Sequence, residues 1–194
     1  MKYEVDQIND LIENRRAIFP KQFTEEPIAS EVLTQLLENA NWAPTHRRTE
    51  PWRFVVVRGE ARARMGDILA DLYLKNTPTE KYSERKHLKK ASNPRRSAAI
   101  IAICMKRHEE LLPEWEEIAA TACAVQNLWL TATAYGLGGY WSSPSVIKSQ
   151  EIRAFLELPE DQICLGFFYL GKYSSEHPKG QRNSIAEKVR WLND

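Results

Sequence analysis

Apolar residues follow two kinds of spacing along the chain. In five stretches they recur every three or four residues, the spacing that places them on one face of a helix. These stretches are residues 5–14, 30–43, 65–73, 114–135 and 151–156. The stretch 114–135 is apolar around much of its circumference, which predicts a helix buried on several sides.

In four other stretches the apolar residues are consecutive and rich in β-branched or aromatic side chains, which predicts strands. They are residues 53–57, 98–104, 139–141 and 163–170. Because strands and helices alternate along the chain, we expect helices packed on one sheet in two or three layers.

Composition and charge limit the function. The chain has 194 residues, with 27 basic and 26 acidic side chains, so its formal charge is +1. The length predicts one domain over residues 1–194. The balanced charge gives no overall attraction to nucleic acid or to a membrane. The longest apolar stretch, residues 97–105, is too short to cross a bilayer. The N-terminal sequence is acidic, unlike that of a signal peptide. The three cysteines are widely spaced among apolar neighbours, so we expect buried, reduced thiols and a cytoplasmic protein.

The common catalytic motifs are missing from the sequence. It contains no HExxH, CxxC, GxSxG or GxxxxGK[ST] pattern, and no two His are four residues apart. The glycines at 136–139 follow a helix and precede a strand, the reverse of a dinucleotide-binding loop. The sequence therefore predicts no metal site, no catalytic nucleophile and no Rossmann domain.

Three segments contain polar chemistry that packing does not require: residues 14–16, 42–52 and 138–144. The paired arginines 15 and 16 could hold a phosphate, or they could simply complement a helix C-terminus. The second segment could be a ligand-binding loop or an ordinary helix-to-strand connection. The third, with two glycines and two serines, could approach a planar ligand or form a turn at a strand edge.

In this order, the segments resemble motifs of the FMN-dependent nitroreductase family in its short, compact branch. Members carry an Arg-Arg-Ser triplet, a loop such as A-P-S-x-x-N-x-Q-P-W-x-F, a G-L-G-x-x-W-x-S segment and a final strand such as G-x-x-Y-L-G. The counterparts here are residues 14–17, 43–54, 136–143 and 166–171, and the resemblance extends from about residue 8 to residue 172.

The resemblance implies an α+β fold, in which helices flank a central, mixed but mainly antiparallel sheet, and an intertwined homodimer. It also implies FMN at the subunit interface, with residues 42–46 reaching the flavin of the partner subunit. The cofactor-binding residues it implies are Arg15, Arg16, Ala17, Trp42, Pro44, Thr45, His46, Trp141, Ser142, Ser143 and Lys172. The C-terminal residues 175–194 would pack on the partner.

The implied activity is ping-pong hydride transfer from NAD(P)H, through FMN, to small electrophilic molecules such as nitroaromatics or quinones. A flavin-dependent dehalogenase or dehydrogenase and a non-catalytic flavin-binding protein are the alternatives. Ala17 stands where the family has Ser, and the charged residues Arg47, Arg48 and Glu50 alter the second loop. The required proton could come from solvent or from His46.

Residues 75–96 are basic, with eight Lys or Arg against two Glu. The segment could be a solvated helix and loop, a lid that attracts the phosphates of NADPH, or a nucleic-acid contact. Only Tyr82 interrupts the basic residues with an aromatic ring, which argues against base stacking.

Overall fold

A four-stranded sheet crosses the centre of the protein in the computed structural model, which describes residues 2–174, 176 and 178–193. The strands are β1 (Trp52–Val57), β2 (Ala99–Lys106), β3 (Gly138–Ser142) and β4 (Gln162–Gly171), in the spatial order β1-β2-β4-β3. All neighbouring strands are antiparallel, while a single parallel bridge joins Ala17 to Gly139 at the β3 edge. The expected mixed, mainly antiparallel sheet is confirmed.

Six helices accompany the sheet, and the described part of the chain contains none long and apolar enough to cross a membrane. They are α1 (Val5–Asn14), α2 (Ser30–Asn41), α3 (Ala61–Asn76), α4 (Glu84–Arg96), α5 (Glu114–Ala134) and α6 (Gln150–Phe155). Gly136 has a φ of +68°, as expected for the residue that ends α5.

The core has two halves, one on each face of the sheet. Successive side chains of a strand point to opposite faces. On β2, Ile101 and Ile103 pack with α2 and α5, whereas Ile100 and Ala102 pack with α3 and α6. The molecule therefore has three layers, with the sheet in the middle.

Helix α5 is buried on one side only, so the prediction of burial on several sides was wrong. Ala124 and Leu128 are buried against α2 and the sheet, but Trp115 and Ile118 are 67% and 39% exposed. The same outer face of the helix exposes Cys123, which contradicts the prediction that all three thiols are buried. Cys104 and Cys164 lie in the core as expected.

Helix α1 contacts α5, but its apolar stripe stays largely exposed in the described part of the chain. None of its residues is buried, and Val5, Ile8 and Ile12 are all exposed. Apolar side chains at this spacing normally face a core. The outer faces of α1 and α5 thus leave apolar surface open to another molecule.

Candidate functional site

The first and third sequence segments meet at the edge of β3. Helix α1 ends at Asn14, and Arg15 already has extended backbone angles. The chain then runs beside β3, where Ile18 N–H donates a hydrogen bond to Gly139 O over 3.0 Å. We call residues 15–19 the edge ribbon.

Glycines make this close approach possible. A Cβ at Gly138 would lie 2.9 Å from Ile18 Cβ, and a Cβ at Gly139 would lie 2.5 Å from the Phe168 ring. Both distances are shorter than side chains tolerate. The edge ribbon therefore depends on the missing side chain at Gly138, and the packing of Phe168 in the core depends on the missing side chain at Gly139.

Replacing Gly139 by alanine is therefore expected to lower the free energy of unfolding by about 1–3 kcal/mol, the usual effect of an overpacked core. Urea denaturation would measure this loss. Gly59→Ala tests the alternative that any glycine substitution destabilises, because its φ of +56° adds backbone strain but its Cβ would contact nothing within 4 Å. A Gly139 variant no less stable than the Gly59 variant would contradict the packing argument.

A cavity of about 1020 Å³ opens beside the edge ribbon. Its walls come from the end of α1, the edge ribbon, α5, β3 and a C-terminal stretch. They are formed by Ile12, Glu13, Arg15, Arg16, Ala17, Ala122, Val125, Gln126, Trp129, Trp141, Gly180, Gln181 and Arg182. Four of the residues expected at the cofactor, Arg15, Arg16, Ala17 and Trp141, are thus brought together.

Three guanidinium groups dominate the charge of this cavity. The Arg15 guanidinium carbon lies 4.3 Å from the centre of the Trp129 ring, and Arg16 Nε donates to Pro178 O over 3.0 Å. Burial, followed by the charges of Arg16 and Arg182, lowers the pKa of Arg15. Glu13 is the single carboxylate among the lining residues of the described chain. A bound anion would relieve the repulsion between the arginines.

Two indole N–H groups in the same walls lack an acceptor among the described residues. Trp129 Nε1 and Trp141 Nε1 are both buried and make no hydrogen bond. Buried donors are normally paired, and leaving one unpaired costs about 1–3 kcal/mol. Both Nε1 atoms lie against glycines of the sheet, since a Cβ at Gly139 would be 3.0 Å from Trp129 Nε1 and a Cβ at Gly166 would be 2.6 Å from Trp141 Nε1. The indoles therefore offer the cavity ring surface rather than N–H donors.

Sequence reasoning missed the C-terminal part of the cavity. Gly180, Gln181 and Arg182 line it, and a Cβ on Gly180 would overlap the Arg16 guanidinium. The tail was expected on the partner subunit, yet this stretch contacts its own chain. Of the range 175–194, residues 175, 177 and 194 lie outside the described residues. The sequence features that could have indicated this stretch are Gly180 and Arg182, a glycine and a cation within a polar tail.

The second sequence segment lies apart from the cavity in this chain. Trp42 is 84% exposed, Pro44 is also exposed, and Thr45 Oγ lies 3.2 Å from Thr49 Oγ. His46 Nδ1 is 2.6 Å from Glu116 Oε2 of α5. None of these residues lines the cavity.

The same loop has an unusual backbone. Arg47, Arg48 and Glu50 have φ values of 52°, 55° and 42°, in a region that favours glycine. Such strain persists where the surroundings impose it, and it is common at ligand-binding sites. The conformation presents an ordered, charged loop at the surface.

Ser142, Ser143 and Lys172 also lie outside this cavity. Ser142 faces the opposite side of β3 from Trp141 and lines a smaller cavity. Ser143 Oγ donates to Leu165 O over 2.7 Å, and Lys172 forms an exposed ion pair with Glu26 at 2.8 Å. The cation that lines the cavity from the C-terminal part of the chain is Arg182, not Lys172.

Comparison with known proteins identifies the family and the fold. The sequence profile described as "Nitroreductase family" matches residues 12–172. "Putative NAD(P)H nitroreductase YdjA" of Escherichia coli K12 is 32% identical over 164 residues, which cover 84% of this chain and 86% of that protein.

Two solved structures are similar over almost their whole length. A nitroreductase-like family protein from Bacillus cereus has a TM-score of 0.81 and 25% identity, covering 100% of this chain and 99% of that one. A nitroreductase with bound FMN from Bacteroides fragilis has a TM-score of 0.76 and 18% identity, covering 96% and 99%. The expected fold is confirmed, and the chain belongs to the nitroreductase family.

Proposed function

We propose that this protein binds FMN and uses NAD(P)H to reduce small electrophilic organic molecules, with nitroaromatics and quinones as the first classes to test. The observation that carries the proposal is the cavity beside the edge ribbon, where three guanidinium groups and two indole rings meet. Family membership supports it, as does the FMN bound in a structure of the same fold.

The donor set fits a flavin mononucleotide. Arginine forks match phosphate oxygens in pairs, so Arg15, Arg16 and Arg182 supply more than enough positive charge for one phosphate. Trp129 and Trp141 add aromatic ring surface for an isoalloxazine. Ala17 has no hydroxyl, so any hydrogen bond at that position comes from its backbone.

Bound FMN would supply hydride transfer between NAD(P)H and the acceptor, with the two substrates reacting in turn. The residues of this chain hold and orient the cofactor. The positive charge of Arg15, Arg16 and Arg182 favours a cofactor that gains negative charge on reduction, and so raises its reduction potential. His46 is held by Glu116, and solvent is the simpler proton source at this open site.

The proposal includes a homodimer in which residues 42–46 of each subunit reach the flavin of the other. Trp42, the apolar stripe of α1 and the outer face of α5 are exposed in the single chain. In the tail, Ile185, Trp191 and Leu192 are 71–82% exposed. These apolar surfaces support a second subunit that would cover them, including those of the C-terminal tail. Each subunit would be a single domain. Two buried free cysteines agree with a cytoplasmic protein.

A visible spectrum of the purified protein tests the cofactor and the activity together. We expect a yellow protein with flavin absorption, and we expect anaerobic NADPH or NADH to bleach it. Addition of a quinone or a nitroaromatic compound should restore the colour. A colourless protein that takes up no FMN on reconstitution would contradict flavin binding.

Two other outcomes separate the alternatives. A flavin that NAD(P)H does not reduce would indicate a non-catalytic flavin-binding protein. Bleaching by NAD(P)H, with turnover only on a halogenated substrate in a panel of acceptors, would indicate a dehalogenase on the same fold.

A further inference from the structure

Two of the three cysteines face each other across the sheet. Cys104 of β2 is the register partner of Cys164 of β4. Both side chains lie in the core half between the sheet and helices α3 and α6, where they are 0% and 3% exposed. Both are free thiols, and neither lines the cavity beside the edge ribbon.

A bulge in β4 places the two thiols on the same face of the sheet. Ile103 pairs with Gly166 and Cys104 pairs with Cys164, so Leu165 is an extra residue without a register partner on β2. Leu165 packs in the core half of α2 and α5, whereas Cys164 packs in the other half. Because side chains of a regular strand alternate between faces, a β4 without the bulge would place Leu165 opposite Cys104 and turn Cys164 to the other face.

The pairing is of a kind that a disulfide can bridge. Lys106 N–H donates to Pro51 O over 2.8 Å, on the β1 side of β2. Backbone groups two residues apart on a strand point the same way, so those of Cys104 also point to β1, and Cys104 and Cys164 form a non-hydrogen-bonded pair. The Cα atoms of such a pair are about 4.5 Å apart, within the range of about 4.4–6.8 Å that a disulfide spans.

A hydrogen bond also joins the two thiols. The Cys104 thiol donates to Cys164, and Cys164 Sγ donates to Gly166 O over 3.6 Å. The hydrogen bond to Cys164, followed by burial, raises the pKa of Cys104. The same hydrogen bond stabilises the thiolate of Cys164 and lowers its pKa. Cys164 is therefore the thiol that ionises first, and the thiolate is the nucleophilic form.

The pair lies near one end of both strands. Cys104 is two residues before Lys106, the last residue of β2, and Cys164 is two residues after Gln162, the first residue of β4. Lys106, Gln162 and Ile163 are only half-buried. Strand ends open locally at a lower free energy than the whole fold, so a small uncharged oxidant such as hydrogen peroxide can reach the sulfurs without global unfolding.

We propose that Cys104 and Cys164 form a redox site, at which hydroperoxides convert the two thiols into a reversible disulfide that ties β2 to β4. This site is separate from the proposed flavin chemistry and does not depend on it.

The reaction has two steps. The Cys164 thiolate attacks a peroxide oxygen, so an S–O bond forms, the O–O bond breaks, and hydroxide leaves and is protonated to water. The Cys104 sulfur then attacks the sulfur of this sulfenic acid, so the S–S bond forms, the S–O bond breaks, and the departing hydroxide takes the Cys104 proton as a second water. The two thiols lose two electrons, which reduce one hydrogen peroxide to two waters.

The disulfide would close a loop of about 60 residues, and restricting such a loop in the unfolded chain favours the folded state. The loop contains α5, β3 and α6. We therefore expect oxidation to make the protein more resistant to urea, and a dithiol reductant to reverse the change.

The test uses the variant Cys123→Ser, which lacks the exposed thiol and keeps the pair. The folded protein is treated with hydrogen peroxide, catalase removes the excess, and the chain is unfolded in urea with N-ethylmaleimide. We expect no maleimide on the oxidised chain, and two after prior reduction with dithiothreitol. Trypsin should release residues 97–106 joined to residues 154–172 through the two cysteines.

Three results would overturn the proposal. Two maleimides on the peroxide-treated chain would show that both thiols stay reduced. Sulfinic or sulfonic acid on either cysteine, without the joined peptides, would show that the sulfurs oxidise separately. A covalent dimer that only a reductant separates would show pairing between chains.

Two matched variants test the order of the steps. In Cys104→Ala/Cys123→Ser, the remaining Cys164 should form a sulfenic acid that dimedone captures. In Cys164→Ala/Cys123→Ser, the remaining Cys104 should stay reduced under the same treatment. Faster oxidation of the lone Cys104 would contradict the assignment of Cys164 as the nucleophile. The Cys123→Ser measurement changes no core residue, so it decides the proposal even where these variants do not fold.

Urea denaturation tests whether the disulfide ties the strands. The oxidised Cys123→Ser protein is expected to unfold at a higher urea concentration than the reduced protein. Peroxide should cause no such shift in Cys104→Ala/Cys123→Ser, which cannot form the bond. Equal midpoints for the oxidised and reduced forms of Cys123→Ser would refute the stabilising role of the disulfide.

Discussion

Replacing Arg15 by alanine is expected to weaken FMN binding by about 10- to 100-fold. Arg15 is held against the Trp129 ring in the wall of the large cavity, so its guanidinium is ordered before a ligand arrives. A hydrogen bond to a charged group contributes about 1.5–3 kcal/mol, which corresponds to this range. Titration of flavin-free protein with FMN, followed by the quenching of flavin fluorescence, measures the affinity.

Two further variants make this result specific. Arg182→Ala is expected to weaken binding in the same direction, because Arg182 lines the same cavity from the C-terminal stretch. Arg64→Ala removes an exposed cation of α3 that does not line the cavity, and should leave the affinity unchanged. Unchanged FMN affinity in the Arg15 variant would remove this residue from the proposed site.

The sheet could be predicted closely from the sequence because buried strands are short and continuously apolar. The runs at 53–57 and 163–170 correspond to β1 and β4, with shifts of one residue at the ends. Their partners could not be predicted in the same way, since hydrophobic runs do not reveal which strands pair.

The environment of α5 shows why the pattern of a helix can mislead. Its apolar residues surround the axis, but the single chain supplies neighbours on one side only. The sequence shows that an apolar helix face needs a packing partner, but it does not show whether that partner belongs to the same chain. Trp115 and Cys123 are exposed because the single chain has no neighbour on the outer face of α5.

The candidate site was predicted where local sequence determines it and missed where distant contacts do. Arg15, Arg16 and Trp141 stood out as polar or aromatic residues beside glycines and helix ends. The stretch at 180–182 has no periodic pattern, and its position depends on Arg16 Nε bonding to Pro178 O across 162 residues. The left-handed backbone of Arg47 and Arg48 was equally hidden, because neither residue type favours it.

Replacing Glu117 by alanine is expected to lower the free energy of unfolding by about 3–5 kcal/mol, the usual effect of breaking a buried ion pair. The Glu117 side chain is fully buried and pairs with the Arg107 guanidinium, which is 16% exposed. It also accepts hydrogen bonds from the backbone N–H and the ring Nδ1 of His108, at 3.2 and 2.6 Å.

The identity of the unpaired charge decides the size of this effect. Burial, followed by the charges of Lys106, Arg53 and Arg107, lowers the pKa of His108. The variant leaves the Arg107 guanidinium without its carboxylate partner, next to the space that the Glu117 side chain filled. Urea denaturation at pH 7 measures the loss, with Glu114→Ala, an exposed acid on the same helix, as the control. If both variants lose the same small amount of stability, Glu117 contributes no more than a surface residue, and the buried pair does not anchor α5 to the segment that follows β2.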